Sequence, residues 1–264
     1  MTEPDLLSHQ LAGEGATLLF LNGGMMTYHS WAPIIATFSD SYRILGCDFR
    51  GQLMSPGDPP RTFEEHAADV IRLLDDLEID KVHVIGASFG GEVGVLLAAG
   101  YPERVRSLIA ITTGDMSTPL LQQGSQRIRD VCRAGIESGD GGLLHDLLVE
   151  EAFSREWADA HREELAARRA QVAELPTSWF EAVAGLVDCL EHFDFRPHLD
   201  RIGCPALVVI AGQDRIIEGA RSRALAEGIA RSKVILFENS GHALVAEDPE
   251  GLAKVCKEFL EEIA

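Results

Sequence analysis

The chain has few cysteines and no long apolar run, and each scarcity excludes a class of protein. Its five Cys are scattered over 264 residues without any C-x-x-C pair. A disulfide framework and a cysteine-ligated zinc site are therefore not predicted, and a reducing cytoplasm is the expected compartment. No apolar stretch approaches the length that crosses a bilayer, and residues 1–5 are acidic, without the apolar segment of a secretory signal.

Positive charge is also scarce, because 23 Lys and Arg stand against 42 Asp and Glu, for a formal net charge of −19. Phosphate backbones and anionic membranes are bound through Lys and Arg. We therefore expect neither nucleic acid nor membrane as a partner and interpret the acidity as a solubility feature. Gly23-Gly24 is followed by neither G-K-[ST] nor G-x-G-x-x-G, so nucleotide binding is not expected, and no metal or other cofactor is predicted.

Short apolar runs alternate with helical patterns along most of the chain. Strands are predicted at residues 16–21, 42–49, 81–85, 105–111, 204–210 and 233–237. Residues 62–78 repeat apolar side chains at helical spacing, and Thr62 and Glu65 form a potential capping box at the start. Buried strands separated by helices favour an α/β fold with a doubly wound, mostly parallel sheet that is covered on both faces.

This alternation stops between residues 116 and 197, where we find helical stretches and no strong strand signal. One of the stretches, residues 157–175, is rich in Ala, Glu and Arg and is interpreted as a solvated helix. A chain of 264 residues has the size of one large domain with one insertion. The predicted organisation is a core of residues 1–115 and 198–264 with a helical cap of residues 116–197.

The strongest functional signal is Gly86-Ala87-Ser88-Phe89-Gly90, which directly follows one predicted strand and directly precedes a predicted helix. A G-x-S-x-G pattern at a sharp strand-to-helix turn is typical of a nucleophile elbow. Side chains at Gly86 or Gly90 would collide there, and Ser88 would be exposed above the strand end. The simpler interpretation is an ordinary Gly/Ser turn, but the context favours Ser88 as a nucleophile.

A serine hydroxyl needs a base, and the base needs an acid that orients it. Asp214 and His242 each follow a predicted strand, and functional groups collect at the carboxyl ends of parallel strands. The chain order Ser88, Asp214, His242 is the order of an α/β-hydrolase triad. Asp115 is the alternative acid, whereas Asp48 is expected to fix its own loop.

Several segments resemble the α/β-hydrolase family of serine hydrolases, from about Leu18 to the end of the chain apart from the insertion. They are residues 212–217 around the acid, 240–250 around the histidine, 48–55, which resemble D-x-R-G-x-G-x-S, and 101–105. The chain departs from the family at Asn22, where His is usual, and at Leu53-Met54, where the first position is often Gly.

The resemblance implies an oxyanion hole made of backbone amides. The amide of Phe89 follows the nucleophile, and the amide of Gly24, with Met25 as the alternative, comes from the loop after the first predicted strand. A pocket beside these groups is expected to be lined by Met25, Met26, Trp31 and Trp179. His29, His145 and His192 are further candidates for the pocket.

These motifs predict a serine hydrolase, active as a monomer or homodimer, that cleaves an acyl ester or lactone of a small to medium substrate through an acyl-enzyme. One alternative is a C–C bond hydrolase of a diketone-type ring-cleavage product, which would bind a substrate carboxylate through cap cations. The candidate cations are Arg127, Arg129, Arg133 and Arg196. The other alternative is a ligand-sensing receptor with weak hydrolysis.

Overall fold

A computed structural model describes residues 7–55 and 57–264, so the expectations for residues 1–5 lie outside it. The described chain forms a seven-stranded sheet with the spatial order β1-β3-β2-β4-β5-β6-β7. The strands are β1 His9–Ala12, β2 Thr17–Leu21, β3 Arg43–Cys47, β4 Val82–Ala87, β5 Val105–Ile111, β6 Ala206–Ala211 and β7 Ser232–Phe237. β1 pairs antiparallel with β3, and the other neighbouring strands pair parallel, which confirms the predicted α/β class.

Helices connect the strands and cover both faces of the sheet. They are α1 Ala32–Ile35, α2 Phe63–Asp76, α3 Phe89–Gly100, α4 Pro119–Ser138, α5 Gly142–Ala152, α6 Arg155–Ala160, α7 Arg162–Ala173, α8 Thr177–Leu186, α9 Gly219–Gly228, α10 Leu244–Glu247 and α11 Pro249–Glu262. Three 3₁₀ helices span Tyr28–Trp31, Val187–Glu191 and Arg196–Arg201. Among the residues described, no helix combines the length and the apolar character that crossing a membrane requires.

The core lies on the two sides of the sheet as two apolar clusters. Val70 of α2 and Val93 of α3 belong to one cluster, and Leu252 and Phe259 of α11 belong to the other. β2 and β6 are buried along their whole length. Continuous burial of this kind requires the Leu- and Val-rich runs from which the strands were predicted. The sheet is therefore doubly wound.

The described residues between β5 and β6 are almost entirely helical. Met116 and Asp194, near the two ends of this segment, form an antiparallel bridge. Within the segment, α4, α5 and α8 contribute to a separate apolar cluster that includes Cys132, Leu144 and Trp179. On this packing we propose residues 116–197 as the cap and the remaining residues as the core.

Two local features differ from the sequence-based expectation. The helix expected at residues 157–175 breaks at His161, which ends α6 and precedes α7. The His161 ring nitrogen Nδ1 lies 2.8 Å from the Trp157 carbonyl oxygen, and the two rings stack with centroids 3.9 Å apart. The side chain of His161 therefore contacts a backbone carbonyl of α6 at the point where the helix breaks. β1 was not predicted, because its alternating, half-exposed residues form no continuous apolar run.

Candidate active site

Ser88 lies in the turn between β4 and α3, where its backbone adopts φ 50° and ψ −120°. Residues other than glycine rarely adopt a positive φ, and such strain collects at functional sites. A Cβ at Gly86 would lie 2.3 Å from the Gly90 carbonyl oxygen, and one at Gly90 would lie 2.2 Å from the Leu21 carbonyl oxygen. Only glycine fits these two positions, as the sequence pattern predicted.

His242 and Asp214 are in direct contact at the ends of β7 and β6. His242 Nδ1 lies 2.8 Å from Asp214 Oδ2, and the two side chains are 11 % and 3 % exposed. The other carboxyl oxygen of Asp214 accepts hydrogen bonds from the amides of Ile216 and Ile217, each at 2.8 Å. These amides fix the orientation of the carboxyl group, which in turn orients the imidazole.

The surroundings of His242 act on its pKa in opposite directions. Burial disfavours the charged imidazolium, whereas the charge and hydrogen bond of Asp214 favour it. The favourable interactions prevail, so the pKa of His242 is raised above its ordinary value. Because Nδ1 faces Asp214, Nε2 is the ring nitrogen that remains for proton exchange.

The amides of Phe89 and Gly24 form no hydrogen bond to any residue that the structure describes. Phe89 is the first residue of α3, and the first amides of a helix have no partner within it. Gly23 differs, because its amide contacts Met26 Sδ at 3.3 Å. The Phe89 and Gly24 amides are therefore available to a developing oxyanion, and our assignment of the hole to them stays a prediction.

Asn22 is fully buried and occupies the centre of a polar network. Its Nδ2 lies within hydrogen-bonding distance of three acceptors: the Cys47 carbonyl, Asp48 Oδ1 and Gln52 Oε1, at 3.0, 2.9 and 3.1 Å. Its Oδ1 accepts a hydrogen bond from Trp31 Nε1 at 2.9 Å. Asn22 therefore has hydrogen-bond partners on both sides of its amide in this buried position.

Gln52 extends this network to the loop that carries Gly24. Its Nε2 donates to the carbonyls of Gly23 and Gly24 at 2.7 and 3.3 Å. The loop is thus held from its carbonyl side, which leaves the Gly24 amide unengaged. This chain therefore has Asn22 where the family usually has His, and the hydrogen bonds of Asn22 and Gln52 fix the backbone of the loop.

The comparisons with known proteins identify the family of this fold. The model of the alpha/beta hydrolase fold family matches residues 16–249.

The chain belongs to the α/β-hydrolase family.

Relatives of this α/β hydrolase support its assignment as an enzyme of the hydrolase class. A protein of Agrobacterium fabrum that carries the name carbamate hydrolase RutD is 28% identical over 244 residues, or 90% of each chain. The enol-lactonase from Burkholderia xenovorans LB400 is 25% identical, with a TM-score of 0.83 over 97% of this chain and 96% of that one. MGS-M2, an alpha/beta hydrolase enzyme from a Medee basin deep-sea metagenome library, shares the fold at a TM-score of 0.90 and 20% identity, covering 97% and 94% of the two chains.

The four predicted pocket residues of the α/β hydrolase separate into two groups. Met25 packs against the cap cluster that contains Trp179 of α8. Met26 packs against the core instead. Trp31 is fully buried in the same core cluster, and its ring lies at 55° to that of Phe20, with ring centroids 5.2 Å apart. Its indole N–H donates to Asn22 Oδ1, and its place in the pocket stays a prediction.

The alternative acid and the loop aspartate each have other partners. Asp115 is buried and faces Arg221, with Nη1 3.5 Å from Oδ1. Asp48 accepts the amides of Tyr28 and Met54 at 2.7 and 3.0 Å, which fixes its own loop as expected. The structure therefore pairs His242 with Asp214.

The further cap and pocket candidates differ in exposure, and the arginines among them are paired. His29 is exposed and the His192 side chain is 85% exposed, whereas His145 is buried within α5. The four candidate arginines each have a carboxylate partner: Arg127 with Glu151, Arg129 with Asp188 and Glu191, Arg133 with Asp130, and Arg196 with Asp194. Within the described residues, no cluster of three or more His, Cys, Asp or Glu side chains is placed to hold a metal ion.

Sequence reasoning missed Glu92, a fully buried acid in the first turn of α3. Burial raises its pKa to about 8, against the opposing effects of the Gly114 amide and the charge of His242. Its carboxyl oxygens have no hydrogen-bond partner in the described part of the chain. The available signal was a single acid in an otherwise apolar and small-residue helix.

Proposed function

We propose that this α/β hydrolase is a serine hydrolase that cleaves an acyl ester or lactone of a small to medium substrate. Ser88 is the nucleophile, His242 the base and Asp214 the orienting acid. The observation that carries the proposal is the 2.8 Å contact between His242 Nδ1 and Asp214 Oδ2. This contact lies at the carboxyl edge of the parallel strands, where Ser88 directly follows β4.

In the proposed reaction, Ser88 Oγ attacks the acyl carbonyl carbon while His242 Nε2 takes the hydroxyl proton. The negative charge that forms on the carbonyl oxygen is received by the amides of Phe89 and Gly24, each worth about 3 kcal/mol in comparable sites. His242 then passes its proton to the leaving oxygen as the C–O bond breaks. A water molecule repeats the sequence on the acyl-enzyme and releases the acid.

The arginines of the cap favour an oxygen ester over a carbon–carbon bond. A ring-cleavage product with a carboxylate would need a cation of the cap to bind it. All four candidates already pair with carboxylates of the cap, and Arg196 pairs with Asp194 at 2.6 Å. An ester or a lactone without a charged group needs no such cation. The close acid–base pair also favours an enzyme over the ligand-sensing alternative.

A carbamate is the second candidate substrate, and the relative from Agrobacterium fabrum favours it through its name. The acyl carbon of a carbamate is attacked by the same serine, and the same amides receive the charge. The acyl carbon of a carboxylic ester is attached to carbon, whereas that of a carbamate is attached to nitrogen. The two acyl-enzymes are therefore hydrolysed at different rates.

The test is turnover of p-nitrophenyl esters from acetate to long chains, with Ser88→Ala as the matched control, followed by mass spectrometry after fluorophosphonate labelling. We expect turnover that vanishes in the variant and an adduct on Ser88. Turnover that the variant retains would refute the triad. A p-nitrophenyl N-methylcarbamate run beside the acetate separates the two candidates, because an ester hydrolase accumulates the carbamoyl-enzyme and a carbamate hydrolase turns it over.

A further inference from the structure

The loops that carry the acid and the base meet the same short segment of the cap. This segment, residues 150–154, joins the end of α5 to the start of α6 and is called the cap shoulder below. Hydrogen bonds reach the shoulder from the Asp214 loop, from the His242 loop and from Glu247 of α10. The contacts are specific enough to assign a role to Glu247.

Glu247 connects the shoulder to the residue before His242. Its Oε1 accepts the amides of Ser154 at 2.8 Å and Gly241 at 3.1 Å. Its Oε2 accepts the hydroxyl of Ser154 at 2.6 Å. One carboxyl group therefore holds a backbone amide of the base loop and two donors of the cap.

The residue after His242 is held by the shoulder as well. The Ala243 amide donates to the Ala152 carbonyl at 2.9 Å. Both neighbours of His242 are thus fixed relative to the cap, one through Glu247 and the other directly. The imidazole itself is held by Asp214 on one side only, so these backbone contacts define where its ring stands.

The approach of Gly241 to the shoulder leaves no room for a side chain. A Cβ at this position would lie 2.6 Å from both the Ala152 carbonyl oxygen and the Ser154 nitrogen, and 2.8 Å from Glu247 Oε1. The glycine before His242 therefore serves this contact.

The acid loop uses the same shoulder. Arg215, next to Asp214 in the chain, donates from Nη2 to the Phe153 carbonyl at 2.8 Å and also to the Glu150 carbonyl. Apolar contacts complete the interface, because Ala152 and Phe153 cluster with Ile216 of the acid loop and with Ala243 and Ala246. The shoulder is therefore a packed interface with both loops.

We propose that Glu247 is a positioning residue that ties the His242 loop to the cap shoulder, so that the position of the cap sets the position of the imidazole. The inference rests on the proposed role of His242 as the base. It predicts that loss of the Glu247 carboxyl weakens the Asp214–His242 contact without touching either side chain.

The test compares the full-length wild type with Glu247→Ala, Glu247→Gln and the control Glu250→Ala, an exposed acid three residues further on. The first measurement is the low-field proton NMR signal of His242 Nδ1–H, identified by its loss in His242→Ala. The second is kcat and KM for the best p-nitrophenyl ester. Melting temperature verifies that each variant is folded.

We expect Glu247→Ala to broaden the signal and to lower kcat at least about tenfold with KM within about threefold, since a displacement of the order of 1 Å costs up to about 100-fold. Glu247→Gln keeps an oxygen for the two amides and donates to Ser154 Oγ, so it restores both readouts, and Glu250→Ala matches the wild type. A folded Glu247→Ala with the wild-type signal and kcat overturns the proposal.

Two further outcomes are decided by the same samples. If Glu247→Ala does not fold, Glu247→Asp, which withdraws the carboxyl group by one methylene from Gly241 and Ser154, replaces it: a broadened signal supports the proposal and an unchanged one overturns it. If the wild type hydrolyses no ester, the proposed function fails, whereas the NMR comparison still decides the role of Glu247.

Discussion

The amide of Glu92 donates to the carbonyl of Ser88 at 3.0 Å, so a buried carboxyl group stands one helical turn beyond the proposed nucleophile. Burial raises the pKa of Glu92 to about 8, which leaves the group uncharged at neutral pH. At that pH, Asp214 supplies the negative charge that holds the pKa of His242 above its ordinary value. The site thus contains Asp214, whose charge acts on His242, and Glu92, which burial keeps uncharged.

The first prediction concerns stability and pH. The pKa of Glu92 rises from 4.5 to about 8 on folding, so between these values the unfolded chain has released a proton that the folded chain retains. The free energy of unfolding therefore falls as pH rises through this window and levels off above it. Glu92→Gln, which stays neutral, should match the wild type at pH 4 and exceed it by a few kcal/mol at pH 8.

Urea denaturation of both proteins at pH 4, 6 and 8 measures this difference directly. Only the difference between the two proteins is used, because other groups titrate in both. Parallel stability curves at all three pH values would show that Glu92 is already ionised at neutral pH in the folded chain.

The second prediction separates Asp214 from Asp115. Because the neutral imidazole is the base, kcat/KM rises with pH through the raised pKa of His242. Asp214→Asn removes the charge that raises this pKa, so the effect of burial prevails and the pKa of His242 falls. The rise of kcat/KM with pH therefore moves to lower pH, and kcat drops by about 10⁴-fold. The pH–rate profile of the best ester is the measurement. Asp115 pairs with Arg221, so Asp115→Asn should keep the wild-type pH–rate profile. If Asp115 were the acid that orients His242, the profiles of the two variants would be exchanged.

The third prediction concerns the loop of Gly24. Gln52→Ala removes the donor to the Gly23 and Gly24 carbonyls and frees the loop, so kcat should fall about 10-fold to 100-fold. KM changes less, because the amides bind the transition state. Steady-state kinetics measures both, with Leu53→Ala, an exposed neighbour, as the control within about twofold of wild type. Equal losses in the two variants would mean that the loop as a whole, and not Gln52, carries the effect.

The fourth prediction compares two glycines. Gly90→Ala places a Cβ 2.2 Å from the Leu21 carbonyl oxygen and should destabilise the protein by about 3 kcal/mol. Gly124→Ala, inside α4 with open space around its Cβ, should stabilise it by about 0.5 to 1 kcal/mol. Thermal melts give the two shifts, and a tolerant Gly90→Ala would show that the elbow relaxes.

The features that sequence reasoning reached are local ones. β5 begins and ends where its apolar run does, and α2 starts after Thr62, whose hydroxyl accepts the Glu65 amide. The elbow of Ser88 was predicted from its local pattern. Gly86 is required by its contact with Gly90 in the same turn, whereas Gly90 is required by its approach to Leu21 of β2. His242 and Asp214 were found because parallel strands end at one edge.

The features that sequence reasoning missed depend on partners far away in the chain. The indole N–H of Trp31 donates to Asn22, which also contacts Cys47, Asp48 and Gln52. Glu247 joins Ser154 and Gly241, a contact between cap and core that no local pattern encodes. The cap itself carries no motif, and its short helices are placed by packing rather than by periodicity.

The strand order has a consequence for biosynthesis. β4, which leads to Ser88, pairs with β2 and β5, all of which precede the cap in the chain. β6 and β7, which lead to Asp214 and His242, are added at the open side of β5 after the cap has been made. A chain that leaves the ribosome N-terminus first therefore forms the Ser88 turn well before the segment of His242 is synthesised. If Ser88 and His242 act as proposed, the nascent protein remains inactive until β7 has joined the sheet.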